Sequence, residues 1–542
     1  MKLIKPLVCS ALTVLACSLA ACNATSEKSA DNTAQSSENN KYNLLFIMVD
    51  QMRFDAMSRA GNTVLHTPNI DKLAKEGVYF KNAYTTVAVC GPARSSVLTG
   101  HTAENTGVNT NNKTYEYDDT VVMTQPTFDE ILSEQGYHAE YYGKWHSMTK
   151  HTKIYKNQQL FSKKGKSIFL HGGQKFMYID YLNENFPPVE PKAGQGWDPL
   201  TERPYTKSPL DKLYGQAYKI NDVKDNKLGQ SDLYGVSVIP AEHSFTAFQS
   251  KQTIEAIERL KDKPFSIQLN LHFPHAPMLP VQPYADMYKA ADMPTPASIN
   301  DSMINTPYKG ANGRKRLPAY RDAAKLQHMT AAYYALMHEV DDWMGKIFTK
   351  LDEHNLTEKT LVIFTSDHGE MLGAHGMRAK NVFYEESSHV PLLVRLPKEI
   401  KQNLEVEGAI STLDLFSTIL DYLNMGKHQS DGKSLRGLID GSDQKHGQYV
   451  VTEWDYRGPV QPNYMVVKDG WKLMVPYTKD SSIVNVLYDL NTDPHEMNNL
   501  IGNNPNKEAH HVEKALELRS DLLTWLQQRD SKRVGSVAEL VF

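Results

Sequence analysis

Several short apolar runs in this chain stop abruptly at clusters of polar side chains, and that punctuation limits the folds open to it. Asn43-LLFIMV-Asp50-Gln51 is the first. GYHAEYYGKWH delivers Gly143, Lys144 and His146, and FSIQLNLHFPHAP carries His272 and His275 at its end. TLVIFTSDHGE stops at Asp367 and His368, and HVPLLVRLP follows one loop later. Continuous β-branched and aromatic runs of this length suit strands buried on both faces, as in a parallel sheet covered by helices. Helices are readable between them. Thr67 is placed to cap a helix with Pro68 in its first turn, running through IDKLAKE to Gly77. A longer one sets Leu326, Met329, Tyr333, Leu336, Val340, Trp343, Ile347 and Leu351 on a single apolar stripe, which reads as core. Alternating strands and helices predict an α/β fold with its ligand site beyond the carboxyl ends of the strands. Four strand ends would then bring Asp, Gln, Lys, His and Asp-His to one place.

From about Gly441 the pattern changes. GQYVVTEW, NYMVVKDGWKLMVP and NVLYDLNTDPHEMNNL predict a small antiparallel sheet, and HHVEKALELRSDLLTWLQQ a closing helix packed on it. At the other end, MKLIKPLVCSALTVLACSLAAC combines two lysines with an apolar run too short to span comfortably, which reads as an export signal. Leu19-Ala20-Ala21-Cys22 resembles the bacterial lipoprotein cleavage box, in which the cysteine becomes the lipidated first residue; an ordinary signal cut nearby is the alternative. The expected organisation is therefore a signal peptide over 1–22, a polar tether over 23–40, an α/β domain over 41–440 and a C-terminal α+β subdomain over 441–542. A formal net charge of −4 argues against a general nucleic-acid binder, so no nucleic-acid partner is expected.

Of the four cysteines, Cys9, Cys17 and Cys22 lie in the first 22 residues, leaving Cys90 alone in the body of the chain. A single cysteine is by default a small buried hydrophobe. Its context argues for more. Gly91-Pro92 followed by ARSSVLTG should start a helix, with Cys90 at the positive end of its dipole and Arg94 a turn away, a setting that favours an anion or an activated nucleophile. Cys90-Gly91-Pro92-Ala93-Arg94 also matches the C-x-P-x-R signature of the type I sulfatases. CGPARSSVLTG, NLLFIMVDQMR, GKWH, PHAP, TSDHGEMLGAHG, AKNVFYEESSHVPLLV and LYDLNTDPHEMNNL resemble that family in the family's order, from Asn43 to Leu500. The likeness is weak only in 147–260 and 280–320.

The resemblance implies an alkaline-phosphatase-like fold: a large mixed, mainly parallel sheet sandwiched by helices, with the smaller subdomain behind it. It implies that Cys90 is oxidised during export, by a maturation enzyme, to the aldehyde formylglycine. One hydroxyl of the aldehyde hydrate attacks sulfur and releases the alcohol; the second drives collapse to the aldehyde and expels sulfate, where a plain Ser or Cys would stay sulfated. Asp50, Gln51, Asp367 and His368 match the family's metal positions, with residue 90 as a further ligand. A mostly oxygen set suits a hard cation, Ca²⁺ ahead of Mg²⁺. Gln51 stands where many members carry a second Asp, and His368 where many carry Asn. Lys144 and Lys380 resemble the sulfate-contacting lysines. His146 resembles the histidine that positions the aldehyde hydrate, Arg94 the arginine that steadies it, and His275 the general acid at the leaving oxygen. His272 and His389 stay unassigned, and His375 is open between substrate contact and packed loop.

Lys150, Lys153, Lys156, Lys163, Lys164 and Lys166, interleaved with Tyr155 and Phe161, make a basic-aromatic stretch, and Arg314, Lys315 and Arg316 a second. Charge runs are usually solvated faces; lining a cleft, these would suit a sulfated polysaccharide. The expected activity is a sulfuric ester hydrolase acting on a sulfated carbohydrate, of algal or other marine type, in the periplasm or at the cell surface with a lipid on Cys22 holding it to the membrane. A phosphonate monoester or phosphodiester hydrolase with the same modified cysteine is the enzymatic alternative. An inactive glycan-binding lipoprotein is the other.

Overall fold

All five apolar runs form strands. In this computed structural model they join two more in one sheet: β1 (Asn43–Asp50), β2 (Val78–Tyr84), β3 (His138–Gly143), β4 (Phe265–Pro274), β5 (Thr360–Ser366), β6 (Leu392–Arg395) and β7 (Leu404–Ser411). The order across it is β7-β2-β6-β5-β1-β4-β3. β1 pairs in parallel with β4 and β5, β4 with β3, and β7 with β2, whereas β6 runs antiparallel to both of its neighbours. β2 and β7 escaped the sequence reading because they are not apolar runs. VYFKNAY and LEVEGAIS carry Lys81, Asn82, Glu405 and Glu407 toward the edge of the sheet, where Lys81 and Glu407 pair across the two strands at 2.7 Å.

The structure describes residues 41–111, 124–147, 239–308, 318–443, 445–454, 461–479, 482–505 and 507–542, with short pieces between 155 and 237. The export signal, the tether with Cys22, the basic side chains from Lys150 to Lys166, Phe161 and the Arg314-Lys315-Arg316 run lie outside these residues. No helix among the described residues is long and apolar enough to cross a membrane.

The longer helices among the described residues are α1 (Pro68–Glu76), α2 (Cys90–Thr99), α3 (Phe245–Leu260), α4 (Ala323–Glu353) and α5 (Ala509–Gln527). Leu45, Ile47 and Val49 of β1 face a core built with α1, α3 and α4, and the predicted stripe of α4 is wholly inside it. On the opposite face of the sheet Phe46 meets Phe128, 5.7 Å between ring centroids. One capping expectation is corrected. The Thr67 side chain makes no cap bond to α1 but takes the Ser58 N–H; Asp341 of α4 accepts from the N–H groups of Asn69 and Ile70 at 3.1 and 2.8 Å instead.

Residues 43–542 form one compact unit. Within it β8 (Val450–Glu453), β9 (Tyr464–Lys468), β10 (Trp471–Val475) and β11 (Val486–Asp489) make an antiparallel sheet in sequence order. Strand alternation gives this sheet two packed faces. Val466, Leu473 and Leu487 meet Leu518, Leu522 and Leu526 of α5, while Met465, Val467 and Met474 meet Tyr84, Val87, Phe383 and Tyr384 beneath the loops of the larger sheet.

Candidate active site

Because β1, β3, β4 and β5 are parallel, their carboxyl ends open onto one rim. β1 ends in Asp50 and passes into Gln51 at φ 68°, β3 passes into Lys144 and, at φ 42°, His146, and β5 passes into Asp367 and His368. α2 begins at Cys90 and closes on Gly100, whose N–H donates to the Ser96 carbonyl. The helix is buried throughout, so the positive end of its dipole is not screened by water where Cys90 sits.

Around Cys90 the contacts are dense. Cys90 Sγ lies 3.0 Å from His368 Nε2. His368 Nδ1 donates to the Gly369 carbonyl at 2.9 Å, which turns Nε2 toward residue 90. Arg94 donates through Nε to Asp367 Oδ2 at 2.9 Å and through Nη1 to Asn270 Oδ1 at 3.0 Å and the Lys144 carbonyl at 3.1 Å. Its Nη2 stands 3.5 Å from Asp50 Oδ2, the oxygen that also takes Lys144 Nζ. Lys380 Nζ donates to Gln51 Oε1 at 2.5 Å, while Gln51 Nε2 donates to Glu370. The donor atoms of Asp50, Cys90, Asp367 and His368 cluster within 4.8 Å of one another, and Gln51 follows Asp50 directly at the end of β1.

That cluster fits a cation. Asp50 Oδ1 is buried without a hydrogen-bond partner, 3.9 Å from His368 Nε2, and a buried lone carboxylate oxygen is costly unless something positive meets it. The wider site favours an anion: Arg94, Lys144 and Lys380 outnumber the two carboxylates. Burial raises the Cys90 thiol, but Lys144, Lys380 and His368 outweigh it and hold its pKa well below the ordinary thiol range. Burial likewise works against the Asp50 carboxylate and is overcome by the cations around it, Lys144 first and then Arg94. Burial, then Lys144, keeps His146 neutral; burial, then Lys380, does the same to His275. His275 Nδ1 donates to the Ala276 carbonyl at 2.7 Å, so Nε2 is its working atom.

The remaining histidines separate cleanly. His375 is a packed loop residue: Nδ1 sits 2.8 Å from Asp301 and the ring stacks on Tyr384 at 3.8 Å. His389 is clasped between Phe54 and Tyr84 with both nitrogens bonded, and His272 lies 5.3 Å from the His275 ring. Tyr155, from the basic-aromatic stretch, is buried and donates to Asp129 at 2.9 Å, so it offers no stacking face. Two supporting residues went unread. Asn270 looked like one polar residue in an apolar strand, and only pairing with β1 and β3 aims it at Arg94. Glu370 accepts from Gln51, from the Leu372 N–H at 3.0 Å and from the Ala379 N–H at 2.5 Å; its spacing from Asp367 in DHGE was the available signal.

Comparison with known proteins agrees along most of the chain. The family model described as "Sulfatase" matches residues 42–425, and one described as "N-sulphoglucosamine sulphohydrolase, C-terminal" matches 373–523. An arylsulfatase of Clostridium perfringens is 28% identical over 476 residues, covering 86% of this chain and 92% of that one. An N-acetylglucosamine-6-O-sulfatase of Bacteroides thetaiotaomicron is 26% identical over 521 residues, covering 89% and 86%. In fold, a phosphonate monoester hydrolase from Silicibacter pomeroyi superposes with a TM-score of 0.70 at 22% identity, covering 92% of this chain and 97% of its own. A protein solved with its substrate D-glucosamine-2-N,6-O-disulfate superposes at 0.65 and 21% identity, covering 92% and 100%.

Proposed function

Because the chain belongs to the sulfatase family, we propose that it hydrolyses a sulfate ester carried by a carbohydrate. The observation that carries this reading is the meeting of three cations and the Asp50, Asp367 and His368 donors around residue 90 at the start of α2. The sugar-sulfate name of one long relative supports the carbohydrate part.

In this reading Cys90 is matured to formylglycine, whose hydrate supplies one hydroxyl to attack sulfur and a second to release sulfate. Asp50, Gln51, Asp367, His368 and the oxygen that replaces Cys90 Sγ would hold one divalent cation, Ca²⁺ ahead of Mg²⁺, which would supply positive charge to the sulfate oxygens. Lys144 and Lys380 bind those oxygens and offset the charge that grows on them. Arg94 keeps Asp367 and the Lys144 turn in register with α2. Neutral His146 accepts a hydrogen bond from a hydroxyl at residue 90. His275 gives a proton from Nε2 to the departing sugar oxygen; since its neutral form carries the proton on Nδ1, it acts as the imidazolium, favoured once the anionic substrate is bound. Export with a lipid on Cys22 belongs to the same reading, and fatty-acid labelling that persists in Cys22→Ala would remove it.

The test is competition. Protein co-expressed with a formylglycine-forming maturation enzyme should turn over sulfated oligosaccharides with kcat/KM well above that for matched phosphonate monoesters and phosphodiesters. A preference for phosphonate or phosphodiester would install the other hydrolase, and glycan binding without turnover would make the chain a binding protein.

A further inference from the structure

The segment LYDLNTDPHEMNNL lies far from residue 90 in the chain, yet its Glu496 reaches Glu385, five residues beyond Lys380. Glu496 is fully buried, with one oxygen accepting the Glu385 N–H at 2.7 Å and the other 2.7 Å from Lys472 Nζ. Lys472, on β10 and also fully buried, stands 2.6 Å from Glu385 Oε1 and donates to the Phe383 carbonyl at 3.0 Å. Three ionisable side chains, Glu385, Lys472 and Glu496, thus meet just downstream of Lys380.

Stability alone does not account for them. Replacing a buried ion pair with apolar side chains of similar size is often neutral or stabilising, so such a group contributes geometry more readily than free energy. The turn that carries Lys380, a few residues upstream of these contacts, needs geometry. Ala379 and Asn381, on either side of Lys380, are both in the left-handed region at φ 60° and 76°, which disfavours side-chain-bearing residues. The backbone persists there because it is tied on both flanks. Upstream, the Ala379 N–H donates to Glu370; downstream, the Asn381 N–H donates to Ala88 at 3.1 Å and Phe383 and Glu385 are held by Lys472 and Glu496.

We propose that Lys472 and Glu496 are positioning residues for the reaction: from the C-terminal sheet they clamp the turn at Phe383 and Glu385 and so set where Lys380 Nζ meets the sulfate. The proposal rests on the sulfatase reading only through Lys380. A lysine displaced by about 1 Å costs up to about 10²-fold in rate. The charge-balanced pair Lys472→Met with Glu496→Gln leaves Glu385 its bonds to Tyr84 and His389.

The experiment is a double-mutant cycle against Lys380→Ala on matured, metal-loaded enzyme, with kcat/KM measured for a sugar sulfate and an aryl sulfate. The pair should lose about 10–10²-fold on both substrates, because the sulfate is common to them, at an unchanged metal content. In the Lys380→Ala background the same pair should cost no more than about twofold. A loss of equal size in both backgrounds would show a general structural role and overturn the proposal, as would no loss at all. If the pair fails to fold, Glu496→Gln alone enters the same cycle and is judged by the same coupling. Full activity in Lys380→Ala itself would strike at the sulfatase reading of Lys380, an outcome visible before Lys472 is touched.

Discussion

His275 shows how little of a residue's task is written in its immediate neighbours. PHAP places it at a strand end, but its tautomer comes from the Ala276 carbonyl and its low proton affinity from burial and from Lys380, a residue 105 positions away. A depressed pKa makes the working imidazolium scarce in the free enzyme. Rate on a sugar sulfate, as kcat/KM, should therefore fall as pH rises through that pKa, because the acid form is the one required. An aryl sulfate leaves as a stable phenolate and should lack this limb. His275→Ala should remove the limb and cost on the order of 10²–10⁴ on the sugar ester, with far less on the aryl ester. Equal losses on both would make His275 a binding residue. At Cys90 the measurement is direct: the peptide spanning it should carry the aldehyde or its hydrate by mass spectrometry in active protein, and full activity with an intact thiol would end the mechanism.

Among the elements, α1 marks the boundary of what local pattern can say. Thr67-Pro68 announced where the helix begins, and Gly77 where it stops. The group that satisfies its free N–H donors is Asp341, 272 positions from Asn69 and the residue after Val340 of the stripe that marked α4 as core. A cap arriving from another helix leaves no local trace. Asp341→Ala should cost about 1–2 kcal/mol, read as a lower denaturation midpoint at an unchanged m-value, with Asp341→Asn recovering most of it. Equal stability for Asp341→Ala and the parent would return the cap to water. β2 and β7 fail to show in sequence for a related reason. Their alternation is broken by Lys81 and Asn82 on β2 and by Glu405 and Glu407 on β7; β7 is the edge strand, where such charges discourage pairing with other chains, and Lys81 of its neighbour pairs with them. The buried strands β1, β4 and β5 had no such duty, and their runs were plain.

At the scale of the whole molecule, convergence at the carboxyl rim was readable because parallel strands must deliver their ends together. The strand order was not, since it depends on pairings that no single run contains. The rim should bind one divalent ion per chain. Asp367→Ala should lose that ion and all turnover, and a chelator that lowers the melting temperature of the parent should leave the variant's unchanged. Two zinc ions per chain by elemental analysis would contradict the site. The reversed strand β6 has a further consequence. The chain leaves β5 at Ser366 and re-enters the sheet beside it, with Leu392 opposite Thr365. Residues 367–391 are therefore a handle whose two feet stand about 4.8 Å apart on adjacent rungs. Asp367, His368, Glu370 and Lys380 all ride on that handle. Two metal donors and a sulfate-facing lysine are thus carried by a single span pinned at both ends to neighbouring rungs, so a disturbance at either foot would be felt by all of them at once.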